Sequence, residues 1–173
     1  MTLVDSHCHL DDDSFAAEGV AEVVTRAQSA GVGHFLTICT RIAEFDRIIA
    51  VANQFPFIHC TVGTHPHHAA EGTELNVTKD EIIAYTKNPK VVGIGETGLD
   101  YHYNHSPSAE QQKGFATHIE AALETDLPLV IHTREADDDT IRIMRDVGRG
   151  KARGVMHCFS GGQKLADESL ALG

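Results

Sequence analysis

The chain has 173 residues, 42% of them hydrophobic and 23% charged, which is the composition of a globular domain with a sizeable core and excludes a disordered or low-complexity polymer. Its formal net charge of −11 counts against a nonspecific duplex-DNA binder, though not against a nuclease whose bound cations supply positive charge locally. No apolar run is long enough to span a bilayer and the N-terminus lacks a charged lead with an apolar stretch behind it, so no membrane contact and a cytoplasmic location are expected.

In chain order, Leu3 to His7 reads as a first strand, running into His7-Cys8-His9. Asp11-Asp12-Asp13-Ser14 is a polar loop and helix cap, and the spacing predicts a helix over 17–30 with Val20, Val23, Val24 and Ala27 on one face. A second strand is predicted over 34–39, a helix over 43–55 and a third strand over 57–63. The following loop carries His65-Pro66-His67-His68, and Thr78-x-x-Glu81 is a capping box opening a helix over 79–87. A fourth strand is predicted over 91–95 and ends at Glu96; a loop over 97–107 holds Asp100, Tyr101 and His102. Ser108-x-x-Gln111 caps a helix to about 125, with Phe115, Ile119, Ala122 and Leu123 inward. A fifth strand over 127–131 ends at His132, a helix follows over 138–147, a short sixth strand over 154–156 ends at His157, and a last helix spans 163–172.

Apolar strands alternating with amphipathic helices define parallel βαβ units in a single domain over 1–173. An open doubly wound sheet usually announces a glycine-rich phosphate loop after its first strand, and here that place holds His-Cys-His. A (β/α)8 TIM-type barrel fits better, because it gathers catalytic residues from several strand ends onto one face. Six units are present, too few to close eight strands.

Five of the six strands end in a ligand-type or acid–base residue: His7 with His9, His65, Glu96, His132 and His157. Alternation along a strand lets His7 and His9 face one point. Histidine and carboxylate without thiolate suit Zn²⁺, Mn²⁺ or a similar ion. The ligands exceed what one open tetrahedral ion needs, so two divalent ions are expected. His7 and His9 would hold one, His132 and His157 the other, and Glu96 would bridge them. Paired ions activate water and stabilise attacking and leaving oxygens in phosphoester cleavage. Arg134, two residues past His132, could grip a phosphate oxygen or pair with Asp137-Asp138-Asp139.

The motifs VDSHCHL (residues 4–10), GTHPH (63–67), GIGETGLDY (93–101), IHTR (131–134) and HCFSG (157–161), in this order, resemble those of the TatD-type metal-dependent deoxyribonucleases, within the amidohydrolase-like barrels. The resemblance covers the whole chain. It implies His7, His9, Glu96, His132 and His157 as metal ligands, and His65 as an active-site residue beside the substrate phosphate. It also implies hydrolysis of DNA phosphodiesters, often 3′-to-5′, with Mg²⁺ or another divalent ion, Glu96 and His65 taking part in catalysis. The family's barrel continues through two further strands and a late Asp that completes the metal site. No Asp of this sequence matches that place by motif, so a fragment of a longer chain, monomeric at full length, or completion by another chain is expected.

Remaining residues divide by position. Asp5 is expected to orient a ligand or cap backbone, His67 to lie behind the site or in solvent, and Tyr101 to pack in its loop or stack on a base. His34, His59 and His118 are expected to be structural or solvated. The cysteines, at 8, 39, 60 and 158, are read as unpaired apolar residues, with Cys8 and Cys158 facing away from the ligands. Two rival functions remain open: an amidohydrolase cleaving C–N or ester bonds, against which Glu96 stands where such enzymes often have a bridging lysine, and an inactive metal-binding fragment that associates through its open sheet edge.

Overall fold

A computed structural model describes residues 2–173. Six parallel strands, β1 (Leu3–Cys8), β2 (Val32–Thr37), β3 (Ile58–Val62), β4 (Val91–Asp100), β5 (Leu129–Arg134) and β6 (Gly154–Met156), pair in sequence order. Helices α1 (Val20–Ser29), α2 (Phe45–Gln54), α3 (Lys79–Thr86), α4 (Ser108–Thr125), α5 (Asp137–Gly148) and α6 (Gln163–Leu172) follow the strands in turn. The fold is an α/β half-barrel, an incomplete TIM-type ring. The first and last strands share no backbone ladder, yet the sheet curls until the rings of His7 and His157 lie 3.8 Å apart.

The core lies between strands and helices, where Ile58, Ile94, Leu99, Ile119 and Leu129 lose all contact with solvent. Strand β4 is buried along nearly its whole length because neighbours cover both faces, as in parallel sheets generally. It runs five residues past the predicted end. Gly98 falls in the predicted loop 97–107, but here Gly95 and Gly98 let backbones approach closely. A methyl group on Gly63 would sit 2.5 Å from Gly95 Cα, and one on Gly98 would sit 2.0 Å from His132 O.

Other boundaries shift for local reasons. The first helix starts at Val20 rather than residue 17, because a 3₁₀ turn over Asp13–Phe15, capped by Asp12, and Gly19 at φ +90° intervene. Thr78 and Glu81 form the expected reciprocal capping box. Gln111 does not cap α4: its side chain accepts from Asp100 N–H at 2.7 Å and donates to Asp100 O and Ser106 O, bracing the end of β4. No described helix is long and apolar enough to cross a membrane.

Candidate metal centre

The carboxyl ends of the strands place Glu96 at the middle of a ring of imidazoles. Glu96 is 2% exposed. Its Oε1 lies 2.6 Å from His157 Nε2, 3.1 Å from His132 Nδ1 and 3.4 Å from His65 Nε2, while Oε2 lies 3.3 Å from His7 Nε2. The two carboxylate oxygens thus face different imidazoles. Burial alone would raise the Glu96 pKa, but the facing imidazoles of His132, His157, His65 and His7 outweigh it and hold the carboxyl well below the usual carboxylate range.

Strand β2 ends without a ligand residue, yet the segment that follows it, through Cys39 and Thr40, fixes the centre through its main chain. Cys39 O accepts from Glu96 N–H at 2.8 Å, and Thr40 O accepts from His65 N–H at 2.9 Å. Cys39 N–H in turn donates to Thr61 Oγ1. On the other side, His157 N–H donates to Ile131 O, tying the start of that loop to β5.

Asp100 organises the second half of the site. Its Oδ2 lies 2.9 Å from both His67 Nε2 and His132 Nε2, and its Oδ1 accepts from Tyr103 N–H. Burial opposes ionisation, but these three bonds prevail and the carboxyl drops to about 2. An ionised Asp100 assigns the ring protons, since a carboxylate only accepts. His132 then donates through Nε2, which leaves the lone pair of Nδ1 on the neutral ring facing Glu96 Oε1. Two acceptors 3.1 Å apart require a proton or a cation between them. Burial works against protonation of His132, yet Glu96 and Asp100 together raise its pKa.

His65 is set the other way round. Its Nδ1 accepts from His67 N–H at 3.1 Å, so the neutral ring carries its proton on Nε2 and presents a donor to the site. Burial, only partly offset by Glu96, lowers its pKa and favours that neutral form. The nitrogens of His65, His67 and His132 crowd together. With two of the three N–H groups committed to Asp100 and the third pointing inward, they form a hydrogen-bonded chain rather than a ligand triad.

The donor set fits a divalent cation. His7, Glu96 and His157 offer ligand atoms within one coordination sphere's reach. Both ring nitrogens of His7 are buried without a hydrogen bond of good geometry, as expected of groups shaped for a metal. His9 lies beside this group, its ring 5.2 Å from that of His7 and nearly perpendicular. His157 thus stacks against His7 while sharing Glu96 Oε1 with His132; the stacking comes from curling of the sheet, invisible in a linear pattern.

Arg134 is exposed at the rim. Among the described residues its guanidinium pairs with no carboxylate and lies over the Tyr103 ring, 4.9 Å from the centroid. The alternative partner does not materialise, because Asp139 is occupied by Tyr101, Gln112 and Arg142 and Asp138 by Lys164. Tyr101 is thereby a packing residue. His118 is buried as a structural group, and Asp5 accepts from His7 N–H. Cys8 packs inward and donates to Leu36 O; burial pushes its thiol and those of Cys39 and Cys60 to about 12. Cys158 corrects the expectation that it packs away from the site: it is exposed, since the chain leaves β6 in a turn with Cys158 at φ +45° and strand alternation no longer applies. Asp100 and His67 are the residues underrated from sequence; the signal was the Asp at the end of GIGETGLD, concealed by treating 97–100 as loop.

A curled parallel sheet with its polar side chains gathered at the strand carboxyl ends defines a TIM-type barrel protein with a histidine–carboxylate site. The TatD related DNase family model matches residues 4–173. The chain belongs to this family. It is 33% identical to the uncharacterized metal-dependent hydrolase YabD of Bacillus subtilis, over 98% of this chain and 66% of that protein. It is 32% identical to the 3′-5′ ssDNA/RNA exonuclease TatD of Salmonella typhimurium, over 88% of this chain and 59% of the relative. The crystal structure of the TatD homologue YJJV from Escherichia coli superposes with a TM-score of 0.85 at 27% identity, covering 98% of this chain and 65% of that one. The chain thus spans about two thirds of the length of such relatives.

Proposed function

We propose that this chain carries the centre of a metal-dependent phosphodiesterase acting on DNA ends or single strands, as a 3′-to-5′ exonuclease, with two divalent cations (Mg²⁺, Mn²⁺ or Zn²⁺) held by His7, His9, Glu96, His132 and His157. The observation that carries the reading is the buried Glu96 carboxylate, whose two oxygens face imidazoles from opposite sides of the half-barrel. Such a carboxylate is placed to bridge two ions. Bound cations would supply positive charge for a phosphate and lower the pKa of a water nucleophile. The relatives' names, metal-dependent hydrolase and exonuclease on single-stranded DNA and RNA, support the same class.

The protein's own groups take definite parts. His65 donates from Nε2 to a non-bridging phosphate oxygen beside Glu96. Asp100 keeps His132 turned so that Nδ1 faces the centre. Arg134 offers an unpaired positive charge at the mouth of an otherwise acidic protein.

The test is release of mononucleotides from 5′-labelled single-stranded DNA in Mg²⁺ or Mn²⁺ by the protein extended through the two further strands, with Mn²⁺ binding followed in parallel. A ladder shortening from the 3′ end, abolished by chelation and by Glu96→Ala, is expected. Metal-loaded protein that releases nothing overturns the reading.

A further inference from the structure

Beside the metal centre lies a surface that the hydrolytic machinery leaves unused. The loop after β4 is pinned at both ends: Asp100 Oδ1 accepts from Tyr103 N–H at 2.9 Å, and the buried Ser106 hydroxyl donates to His67 O at 2.9 Å while accepting from Ala70 N–H. Between these anchors the loop holds Tyr103 outward, 51% exposed. The Tyr103 ring runs parallel to that of His105, 2° between planes at 5.7 Å, an offset that leaves aromatic face uncovered. Arg134 and the edge of His67 hold the ring in place, with the His67 centroid 5.5 Å away. His67 shares Asp100 with His132, so Tyr103 stands about one residue's breadth from the metal ligands.

A half-exposed tyrosine beside a site that would take a nucleic acid offers an aromatic face to a base. We propose that Tyr103, extended by His105, is a stacking shelf for the nucleobase next to the scissile phosphate, with Arg134 taking that nucleotide's phosphate. The proposal rests on the nuclease reading and deepens it. Aromatic faces accept any base, so the shelf would give affinity for unpaired nucleotides without sequence preference. A paired base is already stacked in its duplex and offers no free face. The substrate class is therefore a single strand or a frayed end with a base present on the terminal residues.

Binding tests the shelf without requiring turnover. Fluorescence anisotropy would compare a labelled oligothymidylate with the same oligomer carrying abasic 3′-terminal residues, both in Mn²⁺ with the centre intact and both with phosphorothioate linkages at the 3′ end so that neither is shortened. Tyr103→Ala should weaken binding of the intact oligomer about tenfold and leave the abasic one within about twofold. Tyr103→Phe, which keeps the ring, should bind the intact oligomer as the parent does. The thermal melt of Tyr103→Ala and its Mn²⁺ affinity should match the parent's, because the side chain lies outside the core and the ligand set. Equal affinity of Tyr103→Ala and the parent for the intact oligomer, or an equal loss for both oligomers, overturns the shelf alone. A parent that binds Mn²⁺ but neither oligomer overturns the nuclease reading and the shelf with it.

Discussion

Asp100 shows what one carboxylate can settle. By accepting from Nε2 of both His67 and His132, it fixes which nitrogen of His132 carries a proton. A partner behind a metal-binding histidine typically changes metal affinity ten- to a hundredfold when removed. Asp100→Asn should therefore weaken Mn²⁺ binding by about that factor, measured by calorimetry. The ¹⁵N shifts of the His132 ring should at the same time report a mixture of tautomers, while the parent shows one. An unchanged ring spectrum would mean that Glu96, not Asp100, sets the tautomer. His65 is oriented by a backbone amide instead, so its tautomer should survive the substitution.

At the scale of the element, α4 reaches the site through His118. The ring is fully buried, with Nδ1 donating to Gly114 O at 2.7 Å and Nε2 accepting from Thr64 N–H at 3.0 Å, one residue before His65. Burial depresses its pKa to about 4 against weaker upward pulls from Gly114 and Glu74. Folded protein keeps the ring neutral down to that pH, whereas an unfolded histidine takes a proton near 6.5. Stability from this group is complete above about pH 6.5 and falls by about 3 kcal/mol as the pH drops to 4. Urea unfolding across that range should show the loss, and His118→Gln should flatten it; parallel slopes for the two proteins would refute the assignment. The sequence left His118 as structural or solvated and could not show that it props the loop carrying His65. The six strand–helix units were legible because apolar periodicity changes between strands and helices, and the gathering of His7, Glu96, His132 and His157 because they stand at strand ends. The length of β4 was not, since Gly98 falls in the predicted loop until His132 is seen pressed against it. Nor was the part played by the segment after β2, whose contribution is the carbonyl oxygens of Cys39 and Thr40, which no residue type discloses.

For the whole molecule, the flanks of the half-barrel matter most. Leu3 and Val4 on β1 and Val155 on β6 are more than half exposed, and Phe159 and Leu170 extend the apolar surface beside β6. Among the described residues the outer edges of β1 and β6 have no strand partner. Unpaired, apolar edges are templates for association. The 173-residue chain should show concentration-dependent self-association by light scattering, relieved by the pair Val4→Lys and Val155→Lys without a change in Mn²⁺ affinity. A parent that stays monomeric at high concentration would show these edges to be harmless.

The stacked rings of His7 and His157 carry one last implication. Nothing in the sheet's ladder joins the strands that bear them. A cation held in common by nitrogens of these rings and by Glu96 would act as a clasp, drawing shut a horseshoe whose arms no ladder joins among the described residues. Loading the clasp at a hundredfold excess over its dissociation constant would add about 2.7 kcal/mol of stability. The gain should appear as slower amide exchange in β1 and β6 first, at the tips of the horseshoe, and last in β3 and β4 at its bend.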